Sequence, residues 1–258
     1  MRIKSHRFFQ IFLSIAVTVA VSVQIGAEEN TALPLEENWE HLLSDGGFEV
    51  YGQKIPGSDI FASKVVGNLN APIQNILTVL RDVENSHIWI PGMIEKTTIK
   101  NISDIEAYTY SADHLPWPFT DRDMVLHNKL VLDYEKKLLC VETKSVELPN
   151  HPLKDGLIRA NLRYSNLGTR PVDEHKTYVE MVLFIDPMGH IPDWLVNMLQ
   201  KGWIINFLAG LEKRSSEVGK IKLKKGIENQ LLVLDKLLNS DTKTTVLKRA
   251  LAAPNTSN

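Results

Sequence analysis

From Leu195 an apolar residue recurs every four positions, at Leu199, Trp203, Phe207 and Leu211. That spacing predicts an amphipathic helix over 192–217 with two large aromatics on one slowly drifting stripe. The run Asp186-Pro187-Met188-Gly189-His190-Ile191 before it reads as a strand end and a sharp turn. Gly189 supplies the turn geometry, and Pro192 suits a first helical turn, where its missing N–H costs nothing. Upstream, two-residue alternation predicts strands over 94–101, 107–113, 123–133, 137–146, 157–167 and 176–185. Two more, over 48–53 and 59–68, flank a turn at Pro56-Gly57-Ser58. Trp39, Leu42 and Leu43 have helical spacing, so a helix is expected over 36–44, ended by Asp45-Gly46-Gly47. Another helix opens at Ala71-Pro72, with Ile73, Ile76, Leu77 and Leu80 on one face. After Glu217 a helix over 226–238 is expected from Ile227, Leu231, Leu234 and Leu238, with a short helical option over 246–251. This order predicts an α+β fold, with helices on one face of a curved antiparallel sheet that wraps one long helix. The space between sheet and helix is either filled by side chains or left as a cavity.

The first residues change the picture of where this domain works. Arg2, Lys4, His6 and Arg7 precede an apolar run from Phe8 to Ala27, and Ile25-Gly26-Ala27 resembles a signal-peptidase site. The expected organisation is a signal peptide over 1–27, a leader over 28–33, a domain over 34–217 and a basic helical extension over 218–258. Export to the periplasm or the medium follows; the alternative is a membrane anchor by an uncleaved N-terminal helix. A net charge of -2 speaks against a nucleic-acid partner. Cys140 is the only cysteine, so no intrachain disulfide forms, and its strand-like surroundings read as core. Eight scattered histidines give no metal-ligand spacing, and no nucleophile elbow or phosphate-cradling glycine loop occurs. No metal, cofactor or catalytic set is expected. His114 and His127 are the candidates if acid–base chemistry takes place.

Four segments carry a family resemblance. Trp89-Ile90-Pro91-Gly92, Pro116-Trp117-Pro118-Phe119-Thr120-Asp121-Arg122-Asp123, Ile158-Arg159-Ala160 and the run from Asp186 to Asn197 stand in the order and spacing of START domains. These are the steroidogenic acute regulatory protein-related lipid-transfer domains, and the chain resembles their exported bacterial members over about 34–217. The resemblance implies a helix-grip fold with a tunnel between sheet and long helix that holds one lipid, such as a sterol or a phospholipid. It also implies a carrier or sensor that touches a membrane surface transiently. Two other readings remain: a cyclase-like helix-grip enzyme acting on a hydrophobic substrate, and an envelope interaction protein whose cavity has filled. One departure stands out. The second basic residue that sterol-carrying members place six positions after the motif arginine is Asn128 here, and its acidic partner near Thr109 or Tyr110 is missing.

Under this reading the candidate ligand contacts are Tyr110, Trp117, Arg122, Asn128, Arg159, Tyr164, Glu180, Trp194, Met198, Trp203 and Phe207. Each has a plainer role to weigh. Arg122 is a head-group contact or the centre of a structural ion pair with Asp121, Asp123 or a distant carboxylate. Trp117 lines the tunnel or plugs the core. Trp89 anchors a loop. Trp194, Met198, Trp203 and Phe207 roof the tunnel or are ordinary core. The strand tyrosines Tyr108, Tyr110, Tyr164 and Tyr178 orient a ligand only if they face inward. Glu180, if inward, needs a partner such as Arg159; otherwise it is a surface pair. The lysines and arginines from Lys213 to Lys225 either complement a helix C-terminus or dock on anionic lipid.

Overall fold

Strand alternation builds one open sheet of ten strands in the computed structural model, which describes residues 38–219 and 222–252. The expected signal peptide and the leader lie outside the described residues, as does Lys220. The strands are β1 (Glu40–Asp45), β2 (Phe48–Lys54), β3 (Phe61–Leu69), β4 (Met93–Ser103), β5 (Glu106–Asp113), β6 (Arg122–Asp133), β7 (Leu138–Ser145), β8 (Ile158–Arg159), β9 (Asn161–Pro171) and β10 (Thr177–Asp186). The helices are α1 (Ile73–Arg81), α2 (Asp193–Glu217) and α3 (Lys225–Ala252). Across the sheet the order is β1-β2-β3-β10-β9-β7-β6-β5-β4. Its ladders are antiparallel, and the short β8 runs parallel to the start of β6.

The helix expected over 36–44 is instead β1, with 36 and 37 outside the described residues. Asp45-Gly46-Gly47 does not stop a helix; it makes a hairpin. Gly46 and Gly47 have φ of 57° and 83°, the consecutive left-handed residues that a tight turn between twisted strands requires. Asp45 thereby pairs with Phe48. The Glu49 carboxylate ties the strands together, accepting from Ser44 Oγ at 2.6 Å and bonding His41 Nε2 at 2.7 Å. The ladder is irregular between His41 and Leu43, at the adjacent leucines that gave the stretch its helical look.

Register sorts the side chains onto two faces. On β6, Met124, Leu126, Asn128 and Leu130 share the concave face, and Asp123, Val125 and His127 share the other. Asn128 stands opposite Thr143, Thr143 opposite Ser165, and Ser165 opposite Leu183, so one row crosses four strands. α2 lies over the concave face. Its residues Ile204, Leu208 and Leu211 are buried with Val50, Val65, Leu69 and Ile76. Polar side chains fix its approach. Asn197 accepts from the Phe61 N–H at 2.9 Å and donates to the Asp59 carbonyl at 3.1 Å, and Gln200 Nε2 donates to the Ile185 carbonyl at 3.1 Å.

The segment after Glu217, expected as an extension, seats its helix on the sheet. Ile227 and Leu234 of α3 are buried with Leu130, Leu139 and the α1 residues Ile73 and Leu77. The short helix expected over 246–251 is the continuation of α3.

Gly210 marks the closest approach of α2 to the loop after α1. A Cβ there would overlap the carbonyl oxygen of Trp89. Gly210→Ala is therefore expected to destabilise the protein by about 2 kcal/mol, overpacking outweighing the roughly 1 kcal/mol gain in helix propensity. Urea denaturation checks this, and an unchanged midpoint would contradict the close approach.

Candidate functional site

Between α2 and the concave face lies a cavity of about 560 Å³. Its far wall is apolar: Leu162 and Leu167 of β9 with Met181, Leu183 and Ile185 of β10. Its roof is the α2 stripe of Leu199, Trp203 and Phe207. Trp203 stacks on Phe207 at 5.1 Å between centroids and donates its indole N–H to the Pro91 carbonyl at 3.1 Å; Trp89 leans on Phe207 at 5.2 Å. The three rings form one packed wall of the cavity at the 89–92 loop. This volume is room enough for one long acyl chain.

Of the expected contacts, Arg122, Asn128, Trp203 and Phe207 line this cavity. Arg122 is buried but engages no carboxylate, contrary to the expected ion pair. Nε donates to the Pro187 carbonyl at 2.6 Å, Nη2 to the Met188 carbonyl at 2.9 Å, and Nη1 to the Thr120 carbonyl. Burial presses its pKa below the usual guanidinium value, opposed by Asp121. It clamps the loop before β6 to the turn before α2, where Met188 and Gly189 both have positive φ. Asn128 also has its amide engaged, donating to Thr109 Oγ1 at 3.0 Å and accepting from Thr143 Oγ1 at 3.2 Å.

The other expected contacts do not reach the cavity. Tyr110 points to the convex side, where it packs with Ala112 and Val125 under Leu148 and Leu157. Arg159, on β8, makes a two-pronged pair with the fully buried Asp123 at 2.7 and 2.9 Å, also on the convex side. Tyr164 packs against the cluster of Ile55, Ile60 and Phe184. Glu180 faces outward and pairs with Lys136 at 2.7 Å, not with Arg159. Trp117 is 91% exposed on its loop. Trp194 and Met198, one helical turn apart, lie on the solvent side of α2 and are 68% and 54% exposed. His127 is on the convex face, bonded to Glu106 at 2.7 Å; His114 lines the cavity and holds Asp121 at 2.8 Å. Cys140 is buried, and burial pushes its thiol up to about 12.

Sequence reasoning missed three polar residues on the near wall. Lys96 of β4 stands directly opposite Ser111 of β5, and Asp113 follows two positions on, so all three share one face. All three line the cavity. Ser111 Oγ and Asp113 Oδ2 are buried with no hydrogen-bond partner. Burial lifts the Asp113 carboxyl to about 6, opposed by the charge of Lys96 and the Ser111 hydroxyl; burial also lowers Lys96, opposed by Asp113. The signal was the alternation Thr109, Ser111, Asp113 against Tyr108, Tyr110, Ala112, with the polar set inward.

The comparisons with known proteins agree with this geometry. A START domain model matches residues 27–221. An uncharacterized Pseudomonas aeruginosa protein is 26% identical over 78% of this chain and 96% of its own length. The phosphatidylcholine transfer protein of Mus musculus is 28% identical over 68% of this chain and 83% of its own. Among solved structures, a STAR-related lipid transfer protein from Xanthomonas axonopodis superposes with a TM-score of 0.61 at 25% identity, covering 69% of this chain and 99% of that one. Human STARD10 superposes with a TM-score of 0.64 at 19% identity, covering 72% and 76%. The open sheet, the long gripping helix and the matched span together make this chain a member of the START domain family, a family of lipid-binding and lipid-transfer domains.

Proposed function

We propose that this protein takes up one lipid molecule in the cavity under α2 and carries it through the aqueous part of the cell envelope. The observation that carries the reading is the mostly apolar cavity of about 560 Å³ between sheet and helix. Burying an aliphatic chain of ten carbons there contributes roughly 8 kcal/mol before ordering costs, at about 0.8 kcal/mol per methylene. The envelope location rests on the basic-then-apolar N-terminus of the sequence. The protein works by binding and release rather than by catalysis. Of the two residues on which acid–base chemistry would rest, His127 faces away from the cavity, and His114, which lines it, is bonded to Asp121.

Uptake requires contact with a membrane surface. Trp117, Met188 and Trp194 supply it: they are exposed, and the Arg122 clamp ties the Trp117 loop to the Met188 turn that leads into α2, beside the cavity residues Pro116, Pro187 and Ile191. Aromatic side chains favour the headgroup level of a bilayer.

The test is extraction of the purified full-chain protein followed by mass spectrometry, with uptake of labelled lipid from vesicles measured in parallel. One lipid per protein is expected. Leu167→Trp with Leu183→Trp, which fills the cavity from its apolar wall, is expected to lower both signals about tenfold or more while the thermal melting point is kept. A protein that carries no lipid and takes none up would refute the reading.

A further inference from the structure

The near wall of the cavity is built differently from the rest. Ser111 is fully buried and its hydroxyl makes no well-formed hydrogen bond, though it stands close enough to the Asp113 carboxyl to oppose its rise; Asp113 keeps a buried oxygen without a partner. Lys96 feels Asp113 electrostatically, but no ion pair joins them among the described residues. Buried polar groups left this way are costly, because they have given up water without gaining a partner. A guest that satisfies Ser111 and Asp113 recovers that cost on binding.

We propose that Lys96, Ser111 and Asp113 form the head-group site of this cavity and select a single-chain phospholipid whose phosphate head carries a primary ammonium. The proposal rests on the lipid-carrier reading above.

Counting donors and acceptors selects the head. Lys96 offers three N–H donors and Ser111 one O–H, while Asp113 offers an oxygen that needs a donor. A phosphate supplies several acceptors for Lys96 and Ser111, and a primary ammonium donates to Asp113. Such a head is neutral overall, as is the Lys96–Asp113 set, so no net charge is added to a poorly solvated place. A fatty-acid carboxylate offers Asp113 no donor and sets a second negative charge beside it. A lone hydroxyl leaves most of the donors unmet. A choline head carries no N–H, and a quaternary ammonium is held best by aromatic faces. Around Ser111 and Asp113 the facing strand neighbours are Met93, Lys96, Met124 and Arg122, so the adjoining strands set no aromatic ring against these two residues. Arg122 does not compete for the head, because its guanidinium is engaged by three backbone carbonyls. The volume of about 560 Å³ accommodates one long chain.

The test compares 1-palmitoyl lysophosphatidylethanolamine with its phosphocholine counterpart below their micelle concentrations, by titration calorimetry on the full-chain protein. Hexadecanol reports chain binding alone, and phosphoethanolamine reports the head alone. The ethanolamine lipid is expected to bind about tenfold tighter than the choline lipid, and chainless phosphoethanolamine about 100-fold weaker than either. Asp113→Asn is expected to bring the two lipids within about twofold, and Lys96→Met to weaken both about tenfold. Equal affinity for both heads in the parent protein, or a preference that survives Asp113→Asn, overturns the head-group site while hexadecanol binding upholds the carrier. Failure of hexadecanol and both lysolipids to bind overturns both. Tight binding of chainless phosphoethanolamine overturns the lipid assignment.

Discussion

Arg159→Met is expected to lower the unfolding free energy by about 3 kcal/mol, more than any other single exchange considered for this protein. Asp123 is fully buried, and the Arg159 guanidinium meets both of its carboxylate oxygens, at 2.7 and 2.9 Å. Two-pronged pairing of this kind is strong because both hydrogen bonds are charge-assisted and parallel. Removing the guanidinium leaves a carboxylate in a place without water, and that desolvation is the main cost. The cost should vanish when both charges go. Asp123→Leu with Arg159→Met is expected to recover most of the loss, since a well-packed apolar pair often equals a buried ion pair. Urea denaturation of the parent, the single variant and the double variant checks both statements. If the single variant unfolds at the parent midpoint, the pair contributes nothing. A functional consequence follows from β8. Arg159 and Ala160 flank its end, the Ala160 N–H donates to the Asp123 carbonyl at 3.0 Å, and Ala160 lines the cavity. The ion pair on the convex side therefore holds one edge of the lipid cavity in place from behind.

That arrangement also explains what could be read from the sequence. The gripping helix, the strands from β2 onward and the two motif loops were legible, because long periodic runs and turn residues are local signals. Which face of a strand turns inward was not. Tyr108 and Tyr110 alternate with Thr109 and Ser111, and hydrophobicity alone turns the tyrosines toward the core. Tyr110 is indeed buried, but under Leu148 and Leu157 of the segment after β7, on the convex side. A sheet covered on both faces has two insides, and the cavity belongs to the more polar one at this edge. The phase of α2 was half legible. The stripe through Leu199, Trp203 and Phe207 does face the cavity, joined by Val196 and Gln200, while Ile204 and Leu208 carry the packing beside it. Trp194 and Met198 fall one step off that stripe and meet solvent. The motif arginine was legible as buried, but not its partners. Carbonyls of a distant turn leave no mark in side-chain chemistry.

Asp113 should make the stability of the ligand-free protein fall as pH rises. Its carboxyl titrates at about 6 in the folded protein, against an ordinary value of 3.8, because burial disfavours its charge. Between those values the folded state binds more protons than the unfolded chain, so unfolding free energy declines with rising pH through that window and stays low above it. The shift corresponds to about 3 kcal/mol at most, at about 1.4 kcal/mol per pH unit. The charged groups facing it are Lys96 from β4 and Arg122 directly opposite on β6, with His114 next in the chain. Asp113→Asn keeps the shape and removes the ionisation. It is expected to stabilise the ligand-free protein by about 1–2 kcal/mol at neutral pH, the rest of the gain being offset by a Lys96 charge left without its counterpart, and to change little below about pH 4. Lys96→Met should act the other way, lifting Asp113 further and moving the declining window to higher pH. Thermal melts across the pH range decide this, and a flat difference between parent and Asp113→Asn would show that Asp113 is not the group responsible. The same melts with lysophosphatidylethanolamine present carry the argument one step further. A guest that supplies an ammonium to Asp113 should stabilise the parent at neutral pH and do less for Asp113→Asn. The residue that weakens the empty protein would then be the one that makes the filled protein selective, a trade of stability for function expected where a polar site waits for its ligand.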